Sequence, residues 1–270
     1  MNHKIAILSD IHGNTTALAG VLEDAKNLGA TEYWLLGDIF LPGPGANDLV
    51  ALLKGLPITA SVRGNWDDCV LEALDGQYGL EDPQEIQLMR LTQYLMEDLK
   101  PEHIDWLRNL PMVAKKEVEG LRFSLSHNLP EKNYGGDLLV ENGTEKFDQL
   151  LDEATDVAVY GHVHKQLLRY GSQGQQIINP GSIGMPYFDW NGLKNHRAQY
   201  ALLEVENGEL KGYRVQGGKV SVGQKGMDTS KADYTDIIAD KAEIKGGVWG
   251  NKVKVTTGKN KVDRTNDSVV

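Results

Sequence analysis

Five short stretches carry side chains able to hold or move charge: SDIHGN (9–14), LGD (36–38), GNWDD (64–68), SH (126–127) and YGHVH (160–164). Between them they supply Asp10, His12, Asp38, Asn65, His127, His162 and His164. All are oxygen or imidazole-nitrogen donors, with no thiolate among them. That donor set suits Mn²⁺, Fe, Zn²⁺ or Ni²⁺. Seven donors exceed what one tetrahedral ion needs, and they suit two ions that share a carboxylate. Each motif alone is ordinary: an Asp-x-His often caps a helix, and a Gly-Asp after a strand is usually a turn. The signal is joint, because the groups fall in order and each follows its own apolar run.

Those runs define the elements that must position the donors. KIAILS, EYWLLG and ITASVRG are short, continuous and apolar, as expected of strands covered on both faces. TTALAGVLEDAKNLG, with Asn14 or Thr15 as cap and Gly29 as stop, and ANDLVALLKG separate them at helical spacing. The order βαβαβ implies a parallel sheet with right-handed crossovers. Ligands gather outside the carboxyl ends of such strands. Asp10 and His12, like His162 and His164, are two apart, so on extended segments each pair is expected to face one cavity. Glycines 13, 37, 64 and 161 are expected to let the chain turn sharply beside it.

From about 84 to 110 the pattern is helical, with Pro101 opening a second helix. Strands follow in MVAKKEVEG, LRFSLSH, DVAVYGH, QLLRYGSQGQQIINP and AQYALLEVENGELKGYRV, with GSQG and ENGE as hairpin turns. One helix, TEKFDQLLDEA, interrupts them with Thr144 as its expected cap. The reading is a mixed α/β domain over 1–216 with a helical insertion at about 70–110. A divergent, weakly structured tail or loosely docked strand pair occupies 217–270.

With 270 residues, 40% of them apolar, the chain can bury a sizeable core. The net charge of −10 divides into −13 over 1–216 and +3 over 217–270. An acidic body argues against a dedicated nucleic-acid face, which needs clustered Lys and Arg. It does not argue against phosphate chemistry, since bound cations reverse the local field. No stretch reads as a signal peptide or membrane span, and a lone Cys69 excludes an internal disulfide; a cytoplasmic protein is the expectation.

The five-part series resembles the calcineurin-like metallophosphoesterases, and NPGSIG (179–184) resembles the compact bacterial branch that includes YfcE-type phosphodiesterases. The resemblance spans roughly residues 4–216. It implies a four-layer α-β-β-α sandwich of two mixed sheets, and two divalent ions that activate hydroxide against a small-molecule or nucleotide phosphate ester. Carried over motif by motif, Asp10, His12, Asp38 and His164 hold one ion, and Asp38, Asn65, His127 and His162 the other, so Asp38 bridges. Asp38, Asn65 and His127 are then the catalytic residues, with manganese the expected metal. Asn14, Trp66 and Asp67 are the expected substrate contacts, and NPGSIG a hairpin on the rim. HNLPEKNYGG and PYFDWNG are expected walls.

The sequence departs from the family at Trp66. Many members carry histidine after the Asn, oriented by the following Asp or Glu, as the acid that protonates the leaving group. The indole N–H is a donor but far too weak an acid to give up its proton. Three readings stay open: a phosphodiesterase whose leaving groups need little protonation, with Trp66 as a stacking face; a phosphomonoesterase or protein phosphatase that takes its proton from Asp67, Asp68 or a metal-bound water; and a catalytically silent interaction module. His3, His103 and His196 lack strand-end placement and stand outside the expected site.

Overall fold

The computed structural model describes residues 3–79, 81–186 and 197–221 and the segments 234–238, 253–256 and 261–264, with side chains through residue 211. The N-terminal part runs β1 (His3–Leu8), α1 (Thr15–Asn27), β2 (Glu32–Leu35), α2 (Asn47–Lys54) and β3 (Ile58–Ser61). Three helices follow, α3 (Asn65–Leu74), α4 (Pro83–Met96) and α5 (Pro101–Arg108), and then β4 (Val113–Val118) and β5 (Leu121–Ser126). A single helical turn, α6 (Thr144–Phe147), precedes β6 (Val157–Tyr160), β7 (Gln166–Tyr170), β8 (Gln176–Pro180), β9 (Arg197–Glu206) and β10 (Glu209–Ser221). Past these lie β11 (Tyr234–Ile238), β12 (Val253–Thr256) and β13 (Lys261–Arg264).

The strands form two mixed sheets. One runs β10-β9-β1-β2-β3, with β1, β2 and β3 parallel and β9 antiparallel to β1; β11, β12 and β13 extend it beyond β10. The other runs β4-β5-β6-β8-β7. The apolar runs are continuous because both faces of β1 are covered. Ala6 and Leu8 pack with α1 and α2 on the outside, while Ile5 and Ile7 face Phe123, Leu125, Val157 and Val159 of the second sheet. A third apolar layer, with Leu138, Phe147 and Leu150, covers Ala158, Tyr160 and Ile177 on the far side. Helices, sheet, sheet and a thinner helical cover give the expected α-β-β-α order.

Asn14 caps α1, its side chain accepting from the Ala17 amide, and Gly29 follows the last turn at φ +85°. Three expectations change. TEKFDQLLDEA gives only α6 and a 3-10 turn over Asp148–Leu150, with Gly143 rather than Thr144 at the cap position. The boundary at 216 falls inside β10, which runs on to Ser221. NPGSIG is not a rim hairpin; it carries the chain from β8 back toward β9 beneath the site, and Asn179 and Ser182 are fully buried. PYFDWNG beyond Pro186, and His196, lie outside the described residues.

Candidate metal centre

The ends of β1 and β2 are stitched beyond their ladder. The amides of Asp10, His12 and Gly13 donate to the carbonyls of Gly37, Asp38 and Ile39 at 3.1, 2.9 and 2.9 Å. This fixes the two carboxylate-bearing turns against one another. The turns are not extended, as the two-residue spacing suggested. Asp10, His12, Asp38, His162 and His164 all adopt left-handed backbone, with φ of +53, +51, +52, +66 and +55°. Convergence therefore comes from tight turns at the strand ends. Asp and His tolerate that region better than most residues. Conformations of this kind cost roughly 1–3 kcal/mol each and persist only where the surroundings hold them.

Of the four glycines, Gly13 and Gly37 turn through positive φ. Gly64 and Gly161 are needed for space instead, because a methyl group there would sit 2.1 Å from Asp38 Oδ1 and 2.2 Å from Ser9 Oγ.

Two groups of donors form, Asp10, His12, Asp38 and His164 in one and Asp38, His127 and His162 in the other, each with its ligand atoms within 4.8 Å of one another. Asn65 joins the second, its Oδ1 lying 3.1 Å from His127 Nε2 and 2.8 Å from His162 Nδ1. The structure thus brings all seven donors together. His12 and His127 donate through Nδ1–H to the carbonyls of Leu41 and Leu36 at 2.7 and 2.6 Å, so Nε2 of each faces inward and is a lone pair whenever the ring is neutral. His162 is reversed: its Nε2–H donates to the Gly135 carbonyl at 3.1 Å and Nδ1 faces the centre. Such outer carbonyls set the tautomer of a metal-binding histidine.

The carboxylates are half-tied in the same manner. Asp10 Oδ2 accepts from Ser9 Oγ and from the His162 amide at 3.1 Å. Its Oδ1 is buried, accepts no hydrogen bond, and lies 3.1 Å from His164 Nε2. Asp38 Oδ1 accepts the Trp66 amide at 2.8 Å, while Oδ2 lies 3.3 Å from His127 Nε2 and 3.7 Å from His12 Nε2. His12 Nε2 and His164 Nε2 stand 3.0 Å apart. Buried carboxylate oxygens and inward-facing imidazole nitrogens gathered this closely call for positive charge. Divalent cations fit that set.

Electrostatics agree. Burial alone would lower the His127 pKa, but the carboxylates of Asp38 and Asp10 outweigh it and push it up to about 10. Burial likewise opposes ionisation of Asp10, yet His164, His127 and His12 hold its carboxyl well below the usual range. A metal-free protein thus keeps a proton on His127 that an ion must displace. Cation affinity is expected to rise as pH climbs toward about 10, with proton release on binding. Calorimetric titration in buffers of different ionisation enthalpy measures that release.

The expected substrate contacts separate. Trp66 is half-buried at the start of α3; it packs on the apolar layer shared with α4 and α5, and its ring meets His12 edge-on at 5.7 Å. Asn14 stays half-exposed as the α1 cap. Asp67 is no substrate contact: it is 0% exposed, and both oxygens accept backbone amides. Asp68 is tied to Arg63 and to the Asn133 side chain. In HNLPEKNYGG the Gly135 carbonyl holds His162, and Tyr134 is 59% exposed with the Lys132 ammonium 4.9 Å from its ring centre. His3 pairs with Glu119, and His103 is buried in α5; neither joins the cluster.

Sequence reading missed the supports beneath the ligands. Ser182 Oγ donates to the Asp10 carbonyl at 2.8 Å, and the Asn179 amide to the Gly161 carbonyl at 2.6 Å. The signal for them was NPGSIG itself, a cluster of small residues leaving an apolar strand.

Residues 3–208 match the calcineurin-like phosphoesterase superfamily domain. The chain belongs to that superfamily. It is 29% identical over 233 residues to the uncharacterized protein MJ0912 of Methanocaldococcus jannaschii, covering 78% of this chain and 87% of that protein. A metallophosphoesterase structure from Sphaerobacter thermophilus superposes with a TM-score of 0.57 at 27% identity, covering 76% of this chain and 84% of the other. The symmetrical bis(5'-nucleosyl)-tetraphosphatase of Salmonella paratyphi A is 29% identical over 117 residues, which is 43% of this chain and 40% of that one. Among the described residues no helix is long and apolar enough to cross a membrane.

Proposed function

We propose that the chain is a dinuclear-metal phosphoesterase that prefers phosphodiesters to monoesters, working in the cytoplasm. One observation carries the metal reading: Asp10 Oδ1 is buried, accepts no hydrogen bond, and lies 3.8, 3.9 and 3.1 Å from the Nε2 atoms of His12, His127 and His164. Asp10, His12, Asp38 and His164 would hold one ion, and Asp38, Asn65, His127 and His162 the other. Divalent cations bound there, manganese being the expected choice, would supply an acidified water as nucleophile and would neutralise the phosphoryl oxygens. Asn65 contributes an uncharged oxygen, which limits negative charge where an anionic ester must enter. The N-terminus of α3 points its amides toward the same region, and Trp66 N–H holds Asp38.

The preference follows from the missing acid. Trp66 has no transferable proton, Asp67 has both oxygens committed to amides, and Asp68 is tied to Arg63 and Asn133. Esters whose leaving groups depart without protonation are then favoured. A phosphoanhydride is another such case, since its leaving group is a phosphate. The tetraphosphatase relative is named for a bis(5'-nucleosyl) tetraphosphate, and a nucleotide ester or anhydride is accordingly the substrate class to test first.

Purified protein loaded with Mn²⁺ is expected to hydrolyse bis-p-nitrophenyl phosphate faster than the monoester. A positioned general acid is typically worth ~10²–10⁴-fold, so Trp66→His is expected to raise the monoester-to-diester rate ratio by about tenfold or more. An unchanged ratio would show that position 66 does not set the preference between monoester and diester. Two bound ions with no turnover of any ester or anhydride would favour a silent interaction module.

A further inference from the structure

The reading of a paired-ion centre leaves Asp67 without a chemical task, although it is a fully buried carboxylate two residues from a proposed ligand. Its contacts assign it one. Oδ2 accepts the amides of Gly64 and Asp38, both at 2.9 Å, and Oδ1 accepts the amide of Ile39 at 3.0 Å. Two of these three donors are the peptide N–H groups on either side of the Asp38 α-carbon. The third opens α3, the helix whose Trp66 amide in turn donates to Asp38 Oδ1 at 2.8 Å.

We infer that Asp67 is the positioning residue of the shared metal ligand: it clamps the backbone of Asp38 in its left-handed turn and locks that turn to the first turn of α3. Asp38 is thereby held at both levels, its main chain by a side chain of α3 and its side chain by the main chain of α3. A free left-handed Asp at this point would relax toward ordinary backbone and carry Oδ2 away from His127 and His12. Three convergent N–H donors need an acceptor with two equivalent oxygens, and a carboxylate is the side chain that offers this. The proposal rests on the metal reading above, and it extends that reading from the ligands to what fixes them.

Asp67→Asn keeps shape and volume but turns an NH₂ toward at least one of the three amides. Equilibrium binding of Mn²⁺ to metal-stripped protein, read by the electron paramagnetic resonance signal of free Mn²⁺, separates the possibilities. Wild type is expected to bind two ions. The Asp67→Asn protein is expected to bind the weaker of them about 10–100-fold less tightly, the range for outer partners of metal ligands, with kcat falling similarly and KM nearly constant. The control is Asp75→Asn, which removes a carboxylate and its Arg108 ion pair at the other end of α3 and is expected to leave binding unchanged.

Wild type that binds no ion sinks the metal reading itself. Wild type that binds two, with an Asp67→Asn isotherm and kcat like its own, overturns the positioning role alone. If neither Asp67→Asn nor Asp67→Ser is recovered folded while Asp75→Asn is, Asp67 is a folding determinant and the proposal also fails.

Discussion

Asp38→Asn is expected to lower turnover more than about 10³-fold, beyond the roughly 10–100-fold that outer partners of metal ligands typically cost. The substitution keeps an oxygen for the Trp66 amide, so the turn after β2 keeps its side-chain anchor. What it removes is the anionic oxygen common to both donor groups. The same variant is expected to lose most of the stabilisation that Mn²⁺ gives wild type, which is about 2.7 kcal/mol at a concentration 100 times Kd. Melting curves with and without Mn²⁺ measure that difference. Lost turnover with the Mn²⁺ stabilisation intact would mean that Asp38 acts on substrate and is not the shared ligand.

The order of donors along the chain was legible because each follows an apolar run, and the runs are continuous because β1, β2 and β6 are covered on both faces. Burial pattern is what sequence records best. What it did not record is the conformation of the ligands. Spacing alone suggested extended pairs at Asp10-x-His12 and His162-x-His164, whereas all four residues are left-handed. Hydrogen bonds from distant segments impose that choice, such as the His162 amide on Asp10 and the Asp38 carbonyl on His12, and no local propensity signals them.

Position 66 illustrates a milder failure. GNWDD reads as a loop if Trp66 is weighed, but as a helix start if Asp67 and Asp68 are, since acids favour a first turn. The second weighting places Trp66 on α3, where the structure has it. Its ring fills space between His12 and the helical insertion.

Gly64→Ala is expected to be nearly as damaging as loss of a ligand, although no chemistry is removed. The backbone at Gly64 has φ −95° and ψ 177°, ordinary extended values that alanine adopts freely. Conformational freedom is therefore not the reason for glycine here. The added methyl would meet Asp38 Oδ1 at 2.1 Å, Asp38 N at 2.4 Å and Asp38 Cγ at 2.8 Å. None of these atoms can yield, because Asp67 and the Trp66 amide hold them from the other side. Overpacking of this kind costs about 1–3 kcal/mol in stability. A displacement of about 1 Å at the reacting centre is enough for roughly a 10²-fold loss of rate. Gly76→Ala makes the comparison, since it stands just past α3 at φ +71° with nothing within 4 Å of its added methyl. There alanine is expected to cost about 1–2 kcal/mol of left-handed strain while turnover stays at the wild-type level. Thermal melts and diester kinetics on the two variants separate the causes. Equal stability losses with only Gly64→Ala inactive would locate the effect in the Asp38 contact. A fully active Gly64→Ala would show that α3 can withdraw from Asp38 without disturbing the centre.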